Sequence, residues 1–172
     1  MSYTLYAHRG NIFGPKPELE NTPEYIDQAI KSGFKVEVDV WLKQDGNLYL
    51  GHDGPDTLLT FEYLFLRHDN LLIHAKNTEA LLYLSSRTRL NVFYHTDEHV
   101  VLSSSGNLIF HPDNYPSVVT PNDCIYSMPE LSKTKLQPYK NLITDYAGTL
   151  SAFYSTRDET DKKLLPEILR FF

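Results

Sequence analysis

Between residues 35 and 42 the chain alternates strictly, with Val36, Val38 and Val40 separated by Glu37 and Asp39. A period of two with β-branched residues predicts a strand whose two faces differ in character. Asp45-Gly46 follows, a favoured pair for a two-residue hairpin turn, and residues 47–51 predict the returning strand. Upstream, residues 3–7 predict a strand that runs straight into His8-Arg9-Gly10, followed by a loop over residues 11–20. The period then changes. Ile26, Ala29 and Ile30 recur at helical spacing, with Thr22 placed as N-cap, Pro23 at the first helical position and Gly33 just past the end.

Further strands are predicted at residues 71–75, 91–95, 107–110, 123–127 and 141–144. Helices are predicted at 60–67, at 78–86 with Leu81, Leu82 and Leu84 on or near one face, and at 161–171, begun again or interrupted at Pro166. Strand–helix–strand order predicts an α/β layout with parallel pairing. With no internal repeat and no Gly/Ser linker, residues 1–172 read as one domain. A (β/α)₈ barrel usually needs ~250 residues. The expected fold is therefore a small, reduced TIM-like (β/α) barrel in which some helices are replaced by loops.

Composition narrows the classes. A hydrophobic share of 41% fills one core, and a net charge of −6 without a basic run argues against sequence-independent nucleic-acid binding. The single cysteine, Cys124, excludes an internal disulfide and a four-cysteine zinc site, and on a strand it reads as a small core residue. No stretch reaches the ~20 apolar residues of a membrane span. The first residues show no basic segment leading into an apolar one, so the expected location is the cytoplasm.

On the strand at 35–42, Glu37 and Asp39 face the same side. Two converging carboxylates repel unless a cation joins them, and an oxygen-rich site suits Mg²⁺ or Ca²⁺. If Asp45 and Gly46 are the two central turn residues, Asp39 lies opposite His52, ~4.5–5.5 Å away. A slip of one residue would put His52 on the other face, and the sequence leaves both registers open. His8 and Arg9 stand at the carboxyl end of the first strand, where barrel active sites form. Arginine grips phosphate oxygens and histidine moves protons near neutrality. Each signal alone has a plainer reading: alternating acids on a strand mark a solvated face, and His-Arg-Gly marks a turn. Their joint occurrence in this order points to phosphodiester cleavage by general acid and base.

His8-Arg9-Gly10, Leu19-Glu20-Asn21-Thr22, Glu37-Val38-Asp39-Val40, Asp45-Gly46 and His52-Asp53, in that order, resemble the glycerophosphodiester phosphodiesterase family, within the superfamily that includes phosphatidylinositol-specific phospholipases C. The resemblance covers about the first third of the chain. It implies a barrel of parallel strands, a divalent metal (Mg²⁺ or Ca²⁺) and a small-molecule phosphodiester substrate. It implies His8 and His52 as the catalytic pair, Arg9 on the phosphate, and Glu37 and Asp39 as metal ligands. Glu20 is implied in the same pocket, as a ligand or as the partner of Arg9. Further on, Ile73-His74-Ala75-Lys76 matches the family's Glu-x-Lys strand, so Lys76 fits a phosphate contact while His74 stands where a metal-binding glutamate is expected. His95, two residues from Asp97 at another strand end, is a candidate for substrate contact. Asp145 reads as an anchor for a catalytic residue or, more simply, as a loop cap, and His68, His99 and His111 read as loop residues without a role. The alternative function is a catalytically inactive barrel that binds a phosphate headgroup or a protein.

Overall fold

The computed structural model describes residues 3–87, 89–111, 124–127 and 140–155, so the helix predicted at 161–171 lies outside the described residues. In chain order the elements are β1 (Thr4–His8), α1 (Pro23–Lys31), β2 (Lys35–Leu42), β3 (Leu48–Leu50), β4 (Thr57–Leu59), α2 (Phe61–Leu66), β5 (Leu71–Ala75), α3 (Thr78–Ser85), β6 (Val92–Phe93), β7 (Val100–Leu102), β8 (Leu108–Phe110), β9 (Ile125–Ser127), β10 (Asn141–Thr144) and α4 (Ala147–Ser155). The protein is α/β, with one mixed sheet of ten strands. Seven strands run parallel in the order β6-β5-β2-β1-β10-β9-β8. The antiparallel pair β3 and β4 branches from the carboxyl half of β2, and β7 pairs antiparallel with β8. Among the described residues no ladder joins β6 to β8. The β7–β8 turn nevertheless touches β6, since Ser104 N donates to Val92 O (2.7 Å) and Val92 N donates to Ser104 Oγ (2.9 Å).

The predicted alternation of β2 is realised. Val36, Val38 and Val40 are fully buried in the larger core with Ile26 and Ala29 of α1, Ala80 and Leu84 of α3, and Leu150 of α4. Burying a side chain the size of Ile26 stabilises the fold by ~1.5–3 kcal/mol. Pro23 opens α1 as expected, but the Thr22 hydroxyl donates to Leu19 O (2.7 Å) and does not cap the helix. At α3, Asn77 Oδ1 accepts from Ala80 N (3.0 Å) while Asn77 Nδ2 donates to Leu42 O (2.8 Å), which ties the helix start to the end of β2. The face of α3 is rotated from the one read in sequence: Ala80 and Leu84 are buried and Leu82 is 66% exposed.

The hairpin corrects the expected register. Val40 pairs with Leu50 and Leu42 with Leu48, so the turn holds three residues, 44–46, closed by Lys43 N donating to Asn47 O (3.1 Å). Gly46, at φ +80°, takes the left-handed position that such a turn requires. The extra turn residue shifts the pairing by one. Gly51, not His52, meets Asp39, with Gly51 N donating to Asp39 O (3.3 Å), and His52 lies beyond the ladder. β4, β7 and α4 were not predicted, and β6 keeps two of the five residues expected at 91–95.

Candidate active site

The other face of the sheet carries a second, smaller core: Tyr6, Leu72, Phe93, Ile109, Ile125 and Ile143, one from each of six parallel strands. Side chains two residues apart on a strand share a face. Two residues beyond these six stand His8, His74, His95, His111, Ser127 and Asp145. β2 adds Glu37 and Asp39. Because the strands are parallel, all these polar groups gather over the carboxyl end of the sheet, on top of an apolar floor. A cleft of about 340 Å³ opens there, and every predicted site residue except Glu20 lines it: His8, Arg9, Glu37, Asp39, His52, His74, Lys76 and His95. A second hollow of about 300 Å³, at the amino ends of β1 and β2, has Lys35 as its single charged lining residue.

His8 is held from behind. Its Nδ1 lies 2.8 Å from Asp145 Oδ1, which also accepts from Asn11 Nδ2 (2.8 Å), and its Nε2 lies 3.9 Å from Glu37 Oε2. Burial opposes charge on this imidazole, but the Asp145 hydrogen bond and the Glu37 charge outweigh it and raise the pKa above its ordinary value. Asp145 thus acts on His8 and not merely as a loop cap.

Arg9 and Asn21 both sit in the left-handed region, at φ +53° and +54°. That conformation costs a non-glycine residue roughly 1–2 kcal/mol. It is held by Arg9 N donating to Glu37 O (2.8 Å) and Asn21 N donating to Arg9 O (3.1 Å). Gly10, at φ +95°, completes the turn where an added Cβ would stand 2.8 Å from the Tyr25 ring. Arg9 Nη1 consequently reaches Glu20 Oε2 at 3.1 Å, and its Nε lies 3.1 Å from Asp39 Oδ2 without hydrogen-bond geometry. Glu20 also accepts from Asn11 (2.7 Å), so of its two implied roles it occupies that of partner to Arg9.

Asp39 is densely partnered. Oδ2 accepts from Asn21 Nδ2 (2.9 Å), Oδ1 lies 2.9 Å from His74 Nδ1 and 3.5 Å from Lys76 Nζ, and the Asp39 backbone N donates to Asn21 Oδ1 (3.0 Å). Burial alone would raise its pKa, but the His74 hydrogen bond and the charges of His74, Lys76 and Arg9 hold it well below the usual carboxylate range. Glu37 is the opposite case. It is 3% exposed, its Oε2 has no hydrogen-bond partner, and burial together with the Asp39 charge raises its pKa.

His74 is stacked on Phe93 (4.8 Å, 9°) and on His95 (4.6 Å, 16°), and His95 is stacked on His111 (3.8 Å). Burial, then the neighbouring His111, His74 and Lys76, push the His95 pKa down to about 4; burial and His74 do the same to His111, also to about 4. Both rings are therefore neutral near pH 7. His111, read in sequence as a loop residue without a role, is part of the cleft wall. His52 reaches the cleft from the loop after β3, half exposed, with Nδ1 2.7 Å from Asp53 Oδ1. Trp41 Nε1 donates to Gly51 O (2.7 Å) and anchors that loop.

Glu37, Asp39 and His74 each offer a ligand atom, all within 4.8 Å of one another. Two carboxylates and an imidazole form a donor set that fits a divalent ion, and the unpartnered Glu37 Oε2 is a buried oxygen such an ion would satisfy. Sequence reasoning put Asp145 second as an anchor for a catalytic residue, behind a loop cap, and missed His111, Asn11 and Asn21. For Asp145 and His111 the signal was present: each follows an apolar strand residue, Ile143 or Ile109, at spacing two. No helix among the described residues is long and apolar enough to cross a membrane. The chain matches no family model and no curated protein.

Proposed function

We propose that the protein is a phosphodiesterase that cleaves a glycerophosphodiester or a related small phosphodiester, at the carboxyl ends of strands that close into a small barrel between β6 and β8. The observation that carries this reading is that His8 and His52, from distant parts of the chain, line one cleft together with Arg9 and Lys76. Arg9 and Lys76 neutralise and hold the phosphate. One imidazole takes the proton of the attacking hydroxyl, from water or a neighbouring group of the substrate, as the new O–P bond forms. The other gives a proton to the departing oxygen as the old P–O bond breaks. His8 suits such a transfer because Asp145 fixes its Nδ1, leaving Nε2 toward the cleft, and stabilises the imidazolium. Glu37, Asp39 and His74 would hold the divalent ion, whose contribution when bound is to polarise a phosphoryl oxygen.

The test is turnover of bis-p-nitrophenyl phosphate and of a glycerophosphodiester by the wild type, His8→Ala and His52→Ala. Each variant is expected to lose roughly 10²–10⁴-fold in rate with an unchanged circular dichroism spectrum. His52 is half exposed and off the sheet ladder, so its variant retains the fold. Unchanged turnover in both variants would refute the proposal.

A further inference from the structure

We infer that the ion held by Glu37, Asp39 and His74 is a transition-metal dication that accepts imidazole, with Zn²⁺ as its representative, in preference to Mg²⁺ or Ca²⁺. This deepens the reading of the same cleft, but its test reads ion binding without substrate, so either can fail alone.

His74 is placed by the backbone: in the parallel ladder of β2 and β5 it is the direct partner of Asp39. Its ring plane is fixed by the stack on Phe93 and His95, and its Nδ1 faces both acids, 2.9 Å from Asp39 Oδ1 and 3.9 Å from Glu37 Oε1. A buried ring clamped in this way cannot turn aside to make room for the oxygens that a hard ion prefers. Mg²⁺ and Ca²⁺ seek six or more oxygen ligands, whereas imidazole suits Zn²⁺ and its neighbours in the first transition row. The charge of the site points the same way. Asp39 already shares its negative charge with Arg9 (3.1 Å) and Lys76 (3.5 Å), which weakens the electrostatic pull on which Ca²⁺ affinity depends. The His74 nitrogen is a neutral donor, so its share of the binding does not draw on the carboxylate charge. The buried Glu37 Oε2, without a hydrogen-bond partner, is an independent sign that the group is built around something it binds.

The experiment is calorimetric titration of chelator-treated full-length protein with Zn²⁺, Co²⁺, Mg²⁺ and Ca²⁺, with the visible absorption of Co²⁺ as a second readout. One site is expected to take Zn²⁺ and Co²⁺ far more tightly than Mg²⁺ or Ca²⁺. Since most nitrogen and oxygen sites rank Zn²⁺ above Mg²⁺, substitution at His74 decides. His74→Gln should weaken Zn²⁺ by roughly 10-fold or more and change the Co²⁺ spectrum, and His74→Glu should shift the preference toward Mg²⁺ and Ca²⁺. His68→Ala, which removes a partly exposed histidine at the opposite end of β5, should change none of these. If His74→Glu does not fold, His74→Gln and its Co²⁺ spectrum decide alone. Mg²⁺ or Ca²⁺ binding as tight as Zn²⁺, Zn²⁺ affinity and Co²⁺ spectrum unchanged in His74→Gln, or an equal loss in His68→Ala would each overturn the inference.

Discussion

On the outer face of β2, Val36, Val38 and Val40 are fully buried against α1 and α3; on its inner face, Glu37 and Asp39 are nearly as buried and ionisable. The outer side chains each favour folding by ~1.5–3 kcal/mol through removal from water. The inner ones oppose it, because an uncompensated buried charge costs several kcal/mol. The two acids also differ from each other. Asp39 recovers its cost through Asn21, His74, Arg9 and Lys76. Glu37 Oε2 accepts no hydrogen bond, its nearest charged neighbour being His8 Nε2 at 3.9 Å, and burial together with the Asp39 charge raises its pKa. One strand therefore serves stability on one side and holds unfinished polarity on the other. That polarity has meaning only if something in the cleft completes it.

The harshest way to break this contrast is to move an acid to the wrong face. Val38→Asp places a carboxylate among apolar side chains with no cation in reach, a cost of order 5 kcal/mol or more. That is comparable to the whole stability of a domain, and chemical denaturation is expected to find no folded population. A protein that unfolds cooperatively near the wild-type midpoint would show that the outer face is not the closed core described above. Asp39→Asn comes next. It keeps the shape but leaves Arg9, Lys76 and His74 around a neutral amide, and is expected to lose about 3 kcal/mol in urea unfolding.

Glu37→Gln sharpens the comparison between the acids, and here pH separates them. A carboxyl whose folded pKa is raised favours the folded state while protonated. In metal-free buffer the stability it contributes is lost as pH climbs from the ordinary carboxylate value of 4.5 through the raised value. Asp39, held low, behaves oppositely: its contribution is present above the ordinary value and disappears as pH falls through the depressed one. Glu37→Gln should therefore match the wild type near pH 4 and gain on it as pH rises to 7, by about 1 kcal/mol. A gain at pH 4 that vanishes at pH 7 would reverse the assignment of which acid is strained.

These contrasts were legible in the sequence to different depths. The alternation of β2 and the grouping of Glu37 with Asp39 follow from periodicity alone, because nothing competes with it over eight residues. The partner of Asp39 across the hairpin did not follow. Asp45-Gly46 serves two-residue and three-residue turns equally well, since both need a left-handed glycine, and one residue of difference moved His52 off the ladder. His52 reached the cleft nonetheless, through a loop whose path no pairing rule describes. β7 and α4 were missed for want of contrast. The Thr96-Asp97-Glu98-His99 run ahead of β7 reads as loop, and α4 carries a glycine, Gly148, and no charge to mark a solvent face. That glycine is required by packing: a Cβ there would stand 2.6 Å from Ile12 Cγ2. The spacing-two signal of His111 and Asp145 becomes a polar rim only once β8 and β10 are known to run parallel in one sheet, on either side of β9.

The mildest expected effect tests whether the outer scaffold and the inner site are separable. Thr60 caps α2, its hydroxyl accepting from Tyr63 N (3.2 Å) on the solvent side, and neither it nor any residue of α2 lines the cleft. Thr60→Ala leaves that backbone N–H without its partner and should cost about 1 kcal/mol, read as a small drop in urea midpoint. Because α2 contributes only Leu64 to the buried core, the loosened turn has no rigid route to His74 or Asp39. The Zn²⁺ affinity of the variant should therefore equal that of the wild type. A fall in that affinity comparable to the one expected of His74→Gln would mean that the cleft depends on the outer helices for its geometry, and that the two faces of the sheet are one cooperative unit.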